Sequence, residues 1–202
     1  MKKPFVITIA HKKGGVGKTA MAINTAFELS KKYPVSIIDL DSQKQTSKFN
    51  KKRETPLSNI SIKNKKQLVD YLKKEKKEIS IIDLGGYDSE LGRSSLILSD
   101  LIIIPLSDSD NELDGLIEFK NTIIEILKIN PDIKVNILVN RVHHSDTSTH
   151  KALRNYISNI DGFEIFDTVI RSRKEYKRML GRGQTITEQT KGTGAIEIYK
   201  II

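Results

Sequence analysis

The sequence of 202 residues predicts an α/β fold: a single-domain, doubly wound, mostly parallel sheet with helices on both faces. Three observations lead to this prediction. Short apolar runs rich in β-branched residues recur along the chain, segments with apolar residues at helical spacing separate them, and aspartates follow directly where two of the runs end. Strands that alternate with helices form parallel sheets, and such sheets are covered on both faces.

The predicted elements follow one another in order. A strand over residues 5–10 precedes a helix over residues 20–32, which has apolar side chains at helical spacing. Further strands are predicted at residues 35–38, 78–82, 101–106, 135–139 and 164–170, with an amphipathic helix at residues 111–128. Residues 44–77 are dense in lysine and poor in apolar residues, so we expect a surface helix and a connecting loop there.

Length and composition fit one compact unit. A hydrophobic content of 38% is sufficient to bury the core of one domain over residues 1–202. No run approaches the ~20 apolar residues that a membrane span needs, and no secretory apolar region precedes the first strand. These features lead us to expect a cytoplasmic protein.

Residues 11–19, which read H-K-K-G-G-V-G-K-T, lie between the first strand and the first helix. A phosphate-binding loop has the form G-x-x-x-x-G-K-[ST], in which backbone N–H groups surround the phosphates, the lysine reaches the terminal phosphates and the hydroxyl holds Mg²⁺. Gly17, Lys18 and Thr19 fit this pattern, and Lys12 stands at the first glycine. The flanking strand and helix distinguish the loop from a chance glycine-rich match, so we expect nucleotide binding.

Carboxylates follow two of the predicted strands. Asp39 and Asp41 come after residues 35–38, and Asp83 comes after residues 78–82. The carboxyl ends of parallel strands are where open α/β sheets bind ligands. One aspartate at a strand end is often only a cap or turn residue. Two of them in register with a phosphate loop favour a role in ligand binding instead.

The form K-G-G-x-G-K-T, with Lys13 ahead of the glycines, resembles the deviant Walker A loop of the ParA/MinD family of P-loop ATPases. The segment that begins at Asp39 is similar to the family's first switch, D-x-D-P-Q, with Ser42 in place of the proline. The resemblance implies ATP and Mg²⁺ as cofactors and an ATP-bound homodimer. In such a dimer Lys13 would reach the nucleotide of the partner, whereas Lys18 contacts its own; the alternative for Lys13 is a solvated surface lysine.

The resemblance also implies roles for individual residues. Asp41 would orient the attacking water, as a catalytic residue beside Lys13 and Lys18, or would sense the nucleotide state. Asn140 would contact adenine. The implied metal-site residues are Thr19, Asp39 and Asp83. The implied nucleotide-contacting residues are Lys13, Gly14, Gly15, Val16, Gly17, Lys18, Thr19, Ala20 and Asn140. Ala20 stands where the family often has a second threonine, so one hydroxyl contact to an inner phosphate is missing.

The formal net charge of +9 and the isoelectric point near 9.5 indicate a polyanionic partner. Basic residues are concentrated after the last predicted strand, at Arg171, Arg173, Lys174, Lys177 and Arg178. This stretch and the following residues 183–188 are similar to the family's I-R-x-R-x-A-Y and G-x-[TS]-[VI]-x-E segments. Family members that bind DNA without sequence preference use basic residues in this half. The alternative for any single residue is a solvated helix face.

Together these features are most similar to small plasmid-partition ParA proteins that lack an N-terminal helix-turn-helix, because the first strand begins near residue 4. The resemblance implies a weak ATPase that binds nonspecific DNA on the nucleoid, is stimulated by a ParB-like centromere-binding partner, and segregates plasmid or chromosomal DNA as a dimer or higher assembly. The alternatives are a positioning ATPase for a protein cargo, a MinD-like membrane-associated regulator, and a nucleotide-dependent metabolic enzyme or metallochaperone.

Three further observations bear on these alternatives. Residues 191–202 contain two glycines and no lysine-flanked apolar stripe, which favours a closing helix and DNA over a lipid surface. The absence of cysteine removes the ligands of iron–sulfur and metal-pump relatives. His143, His144 and His150 lie close together without an acidic or cysteine partner, so a polar loop is favoured over a metal site.

Overall fold

The computed structural model describes residues 3–74, 77–107, 109–143, 148–189 and 193–201. Its strands are β1 (Phe5–Ile9), β2 (Val35–Asp39), β3 (Ser58–Ile60), β4 (Ile79–Asp83), β5 (Leu101–Leu106), β6 (Lys134–Val142) and β7 (Phe163–Arg171). Its helices are α1 (Lys18–Ser30), α2 (Gln45–Asn50), α3 (Lys65–Lys74), α4 (Glu90–Ile97), α5 (Asp110–Ile129), α6 (Thr149–Ile157), α7 (Lys174–Gly181), α8 (Ile186–Gln189) and α9 (Thr193–Tyr199).

Within the described residues, seven strands form one sheet in the order β3-β2-β4-β1-β5-β6-β7, and every pair is parallel. The predicted parallel sheet is therefore confirmed. The register places Asp39 directly opposite Asp83, and Ile9 opposite Asp83 on the other side. The phosphate loop, which follows β1, thus begins beside the two aspartates at the carboxyl edge of the sheet.

Each face of the sheet has its own apolar core, because successive strand residues point to opposite sides. On one face, Ile37 and Ile81 pack with Met21 of α1, Phe49 of α2 and Met179 of α7. We call this side, which also carries α8 and α9, the α1 face. The other side, the α5 face, packs the strands against α3, α4, α5 and α6 through residues that include Leu68, Leu96, Phe119 and Leu153.

Residues 44–77 contain more structure than one helix and a loop. The chain forms α2 and α3, and between them the short strand β3 pairs with β2 at the edge of the sheet. The prediction of a loop between residues 58 and 60 was wrong. This strand has only three residues, all half-buried, and only Ile60 is apolar, so no apolar run reveals it.

A buried arginine attaches the C-terminal segment to the α1 face. The Arg53 guanidinium lies 4.9 Å from the ring centroid of Phe27 and 5.5 Å from that of Phe49. It donates to both carboxylate oxygens of Glu188, at 2.9 and 3.0 Å, and to the carbonyl of Gly183 at 3.0 Å. Stacking and paired hydrogen bonds of this kind require the planar guanidinium.

Glu188 also closes the first turn of α8. Its carboxylate accepts from the backbone N–H of Thr185 at 2.6 Å and from the Thr185 hydroxyl at 3.0 Å. The spacing Thr-x-x-Glu with this return hydrogen bond is that of a capping box. The G-x-T-I-x-E segment therefore has a structural role, in which one carboxylate joins α8 to Arg53.

The end of the chain packs on the domain. Ala195 and Ile198 of α9 are buried, and α9 lies against β7, α8 and α1. The predicted closing helix is thus present over Thr193–Tyr199, while residues 190–192 and 202 lie outside the described residues. Across the described ranges, no helix combines the length and apolar character that a bilayer crossing needs.

Candidate nucleotide and magnesium site

The phosphate loop connects the end of β1 to the start of α1. Gly15 and Gly17 have φ angles of 82° and 99°, in the left-handed region that favours glycine. A side chain at Gly17 would also place its Cβ 2.5 Å from the Asn140 amide nitrogen. Gly17 is the N-cap of α1 and offers no side chain to the first turn of the helix. The N–H groups of that turn therefore remain available to an anion.

Lys18 lies buried at the base of the loop. Its Nζ donates to the carbonyl of Lys13 at 2.8 Å, so its amine lies against the inside of the loop. Burial lowers the pKa of Lys18, and the nearby carboxylates of Asp83, Asp41 and Glu112 partly oppose this shift. A desolvated ammonium among carboxylates, beside free helix N–H groups, is suited to bind terminal phosphate oxygens.

Residues at the end of β6 hold the loop from the opposite side. The Asn140 amide donates to the carbonyl of Val16 at 2.7 Å, and the Arg141 guanidinium donates to the carbonyl of Gly15. Arg141 has a φ angle of 62°, where the β6–β7 register shifts between Asn140 and Val142. The adenine contact of Asn140 stays a prediction, since its amide here bonds to the loop. The sequence analysis did not identify Arg141, whose only signal was its place beside Asn140.

Asp39 and Asp83 both accept hydrogen bonds from the first turn of α2. Asp39 Oδ2 accepts from the Ser47 N–H at 2.9 Å and from its hydroxyl at 2.7 Å, whereas Asp83 Oδ2 accepts from the Thr46 hydroxyl at 2.8 Å. Asp39 Oδ1 accepts from the Asp41 N–H at 3.2 Å. The hydrogen bonds of Thr46 and Ser47 to Asp83 and Asp39 thus link the ends of β2 and β4 to α2.

The second oxygen of Asp83 has the chemistry of a metal ligand. Asp83 Oδ1 is buried and has no hydrogen-bond partner among the described residues. Burial raises the pKa of Asp83 to about 6, although the hydroxyls of Thr46 and Thr19 act in the opposite direction. A buried carboxylate oxygen without a partner is costly, and a hard divalent cation satisfies it. Asp83, Asp39 and the Thr19 hydroxyl therefore fit Mg²⁺.

The segments that follow β2 and β4 touch each other at Gly85. A Cβ at Gly85 would lie 2.7 Å from Asp41 Cα and 2.9 Å from Asp41 Cγ. The half-buried Asp41 accepts from the Gln43 N–H at 2.8 Å through Oδ1, which orders the turn after β2. A change in either segment must therefore be accommodated by the other.

Helix α5 lies along the lysine side of the loop. A Cβ at Gly115 would lie 2.7 Å from Lys13 Cγ and 3.0 Å from His11 Cε1, so the Lys13 stem occupies the space that glycine leaves. Lys12 forms an ion pair with Glu118 on the same helix. The structure thus places Lys13 half-buried against its own α5, and its role toward a second chain stays a prediction.

His11 supports the loop as a neutral side chain. Its Nδ1 accepts from the Lys13 N–H at 2.9 Å. Burial and the positive charge of Lys18 lower the pKa of His11 to about 4, so the imidazole carries no charge at neutral pH. The sequence analysis gave no role to His11, because a lone histidine after a strand has no recognisable spacing.

The five predicted DNA-contacting residues fall into two groups. The Arg171 guanidinium donates to the His143 carbonyl at 2.9 Å, and Arg173 forms an ion pair with Glu197 of α9. Lys174, Lys177 and Arg178 are exposed at helical spacing along α7. The structure thus brings three of the five together on an open surface and gives the other two structural contacts.

The histidine-rich stretch shows no metal centre in the part that the structure describes. His150 Nε2 is hydrogen-bonded to the Phe166 carbonyl at 2.9 Å, and His144 lies outside the described residues. Within the described ranges, no group of three His, Cys, Asp or Glu side chains could hold a metal ion.

Solved structures share this fold over nearly the whole chain. A candidate plasmid partition protein from Borrelia burgdorferi B31 bound to AMPPNP is 23% identical, with 98% of this chain and 97% of that chain covered and a TM-score of 0.74. Apo McdA from Cyanothece is 15% identical, with 98% and 97% covered and a TM-score of 0.75. The cell division protein MinD from Aquifex aeolicus is 17% identical, with 97% and 94% covered and a TM-score of 0.72.

A local sequence match and a family model complete the comparison. The uncharacterized protein MJECL24 of Methanocaldococcus jannaschii is 56% identical over 39 residues, which make up 19% of this chain and only 15% of that protein. The model of the CobQ/CobB/MinD/ParA nucleotide binding domain matches residues 7–186, from β1 to the start of α8. The chain therefore belongs to the CobQ/CobB/MinD/ParA family of nucleotide-binding domains.

Proposed function

We propose that this protein is an ATPase that dimerises with ATP, binds nonspecific DNA in that state and segregates DNA together with a centromere-binding partner. The observation that carries the proposal is the arrangement at the carboxyl edge of the sheet. A phosphate loop with lysines at positions 13 and 18 begins beside two aspartates that lie opposite each other on β2 and β4. Such a site is suited to phosphoryl transfer from a nucleoside triphosphate.

The residues of the phosphate loop would supply most of the contacts that position the phosphates of ATP. The N–H groups around Gly15 and Gly17 and the ammonium of Lys18 would bind the phosphates. Asp39, Asp83 and Thr19 would hold Mg²⁺, which when bound adds positive charge beside the terminal phosphates. Asp41, in the turn after β2, would orient the attacking water.

Dimerisation would bring a second lysine to each site. The Lys13 stem lies along α5 in the single chain, and we propose that the lysine extends to the nucleotide of a partner subunit. A transition state for phosphoryl transfer carries charge on the phosphoryl oxygens, so a second cation stabilises it. Hydrolysis followed by release of inorganic phosphate would then remove the charge that joins the subunits, and the dimer would separate.

Exposed cations support DNA as the polyanion. Lys174, Lys177 and Arg178 present three positive charges on α7, and contacts to phosphates need positive charge but no base recognition. A dimer doubles this surface, so the affinity for DNA rises when ATP joins two chains.

The experiment that tests the function measures retention of the purified protein on random-sequence duplex DNA. The protein is applied with ATP and Mg²⁺, with ADP, or without nucleotide, at two salt concentrations. We expect retention only with ATP and a steep decrease at the higher salt, because each phosphate contact releases counterions. Equal retention in the three nucleotide states would contradict an ATP-dependent switch.

Two other functions use the same site. The structural similarity to McdA and MinD fits a positioning ATPase for a protein cargo or a membrane-associated regulator, but the shared fold alone does not distinguish them. Binding to anionic vesicles in place of DNA would support the membrane alternative. A small DNA-binding gene directly downstream would support partition over cargo positioning.

A further inference from the structure

We propose that α2 and the turn after it carry a second DNA-contacting surface beside α7. Its members are Lys48, Lys51 and Lys52, which we call the α2 strip. The inference rests on the proposed function and adds to it, because the sequence analysis placed DNA contacts only after β7. The partner is the phosphate backbone of duplex DNA.

The first support is the local charge. Residues 42–53 contain five basic side chains and no acidic one, and since Arg53 is paired with Glu188, the exposed charge of this segment comes from its lysines. In contrast, Glu175 interrupts the basic residues of α7, and Asp70 lies within α3. The three lysines of the α2 strip are exposed, and none has a carboxylate within ion-pair distance in the described parts of the chain. An uncompensated run of positive charge favours a polyanion.

The second support is the position of the strip. Phe49 of α2 and Met179 of α7 belong to the same apolar core on the α1 face. Lys52 Nζ donates to the carbonyl of Gly181, the last residue of α7, at 3.0 Å. The strip therefore begins where the exposed cations of α7 end.

A small cavity joins this surface to the phosphate loop. The cavity has a volume of about 180 Å³ and lies between α1, α2 and α7. Its lining includes Thr19, Lys48, Lys52 and Gly181. The α2 strip thus lies on the path from the nucleotide site to α7.

The α2 strip is also connected directly to the proposed metal-site residues. Lys48 follows Thr46 and Ser47, whose side chains bond to Asp83 and Asp39. These hydrogen bonds hold the start of the α2 strip against the two carboxylates that are proposed to bind Mg²⁺.

The test compares three double variants with equal changes in charge. Lys48→Gln with Lys51→Gln alters the α2 strip, and Lys174→Gln with Lys177→Gln alters α7. The matched control, Lys66→Gln with Lys73→Gln, alters exposed lysines of α3 on the α5 face. Lys52 is left unchanged because it bonds to Gly181. Thermal melts establish that each variant is folded before binding to random duplex DNA is measured over a salt series.

We expect the α2 variant to bind DNA about tenfold more weakly with ATP and Mg²⁺. The plot of log affinity against log salt should become less steep, because its negative slope decreases in magnitude by about 2. The α3 control should keep the slope of the unmodified protein. Equal binding by the α2 variant and the unmodified protein, or an equal loss in the α3 control, would overturn the α2 strip. If the α7 variant alone loses binding, the proposed function stands and the α2 strip does not. If the unmodified protein binds no DNA in any nucleotide state, both are wrong.

Discussion

Asp83 is a residue whose ionised form is disfavoured in the folded chain when no cation is bound. Burial raises its pKa from 3.8 to about 6. Such a shift destabilises the ligand-free protein at neutral pH, since the unfolded chain ionises this group more easily. The same buried carboxylate is what a divalent cation needs, so stability and metal binding make opposite demands on this position.

We therefore predict that Asp83→Asn raises the stability of the ligand-free protein by about 3 kcal/mol at pH 7.5. Asparagine keeps an oxygen that can accept from the Thr46 hydroxyl but carries no charge. The advantage should be complete above pH 6 and disappear below pH 4, where the carboxyl is protonated in both the folded and unfolded chains. Thermal or urea unfolding in the presence of a chelator measures it.

The control for this prediction is a second Asp→Asn substitution, and Mg²⁺-dependent stabilisation is a second property to measure. Asp41→Asn, at a half-buried carboxylate, should change the stability by less than about 0.5 kcal/mol. Asp83→Asn should also lose the stabilisation that Mg²⁺ adds to bound nucleotide. A variant less stable than the unmodified protein at pH 7.5 would show that the charge of Asp83 is compensated in the ligand-free chain.

Lys44 shows how local strain is retained at the edge of the site. This residue has a φ angle of 50°, in the left-handed region, and its Nζ donates to the Asp39 carbonyl at 2.7 Å. Lys44→Ala and Lys44→Gly both remove the amine, but only glycine relieves the backbone. We predict that Lys44→Gly is more stable than Lys44→Ala by about 1 kcal/mol, as measured by chemical denaturation. Equal stabilities would mean that the turn relaxes when the amine is lost.

Among individual residues, those at the ends of strands could be predicted from the sequence. Residues whose role depends on a contact with a distant part of the chain could not. Lys18, Asp39 and Asp83 were recognisable because the phosphate loop and the strand ends have fixed positions in this fold. The hydrogen bond from Asn140 to Val16 joins residues 124 positions apart. No local pattern reveals such a contact, and neither the support from Arg141 nor the neutral state of His11 could be predicted.

Among the elements, α8 is joined by the Arg53–Glu188 pair to the segment that follows α2. Burial raises the pKa of Glu188, but the hydrogen bonds from Arg53 and Thr185 together lower it by a larger amount. The resulting pKa therefore lies below its ordinary value of 4.5. The stability that this carboxylate supplies is complete above pH 4.5. It is lost as the pH falls through the lowered pKa of the folded protein.

We predict that Arg53→Met and Glu188→Gln each destabilise the protein by about 2 kcal/mol at pH 7, with a coupling energy of about 1–3 kcal/mol in a double-mutant cycle. Arg53→Lys should recover only part of the loss, because an ammonium cannot form the paired bonds between two aromatic rings. Urea unfolding at pH 7 measures the losses and their coupling energy, and urea unfolding at pH 3.5 measures how much of this stability is lost when Glu188 becomes protonated. Additive losses at pH 7 would show that the two residues act independently.

The elements with a clear apolar pattern were predictable, and those with few apolar residues were not. The predicted helix over residues 111–128 corresponds to Asp110–Ile129, and the predicted strand over residues 164–170 corresponds to Phe163–Arg171. Their apolar patterns extend over many residues. By contrast, β3 and α2 have few apolar residues, and their positions are set by β2 and by the carboxylates of Asp39 and Asp83.

At the scale of the whole molecule, the proposed dimer separates two functions of the loop lysines. We predict that Lys13→Ala binds a non-hydrolysable ATP analogue with an affinity within about threefold of the unmodified protein but remains monomeric in light scattering. Its rate of ATP hydrolysis should fall. Lys18→Ala should lose nucleotide binding itself, because that amine lies inside its own loop.

The comparison with Lys18→Ala makes the result specific. A Lys13→Ala protein that doubles its mass with nucleotide and hydrolyses ATP at the normal rate would remove Lys13 from the subunit interface. Loss of nucleotide binding in both variants would instead place the two lysines at one site within a single chain.

The missing side chain at Gly115 means that a substitution in α5 can change the position of Lys13. The resting position of the Lys13 stem depends on an empty space in α5, at a point far from the loop in the sequence. A single added methyl group there would push the stem away from α5 and, in the proposed dimer, favour the extended lysine while every residue of the loop stays the same. The proposed contact between subunits could therefore be adjusted by a substitution in α5, without any change in the loop.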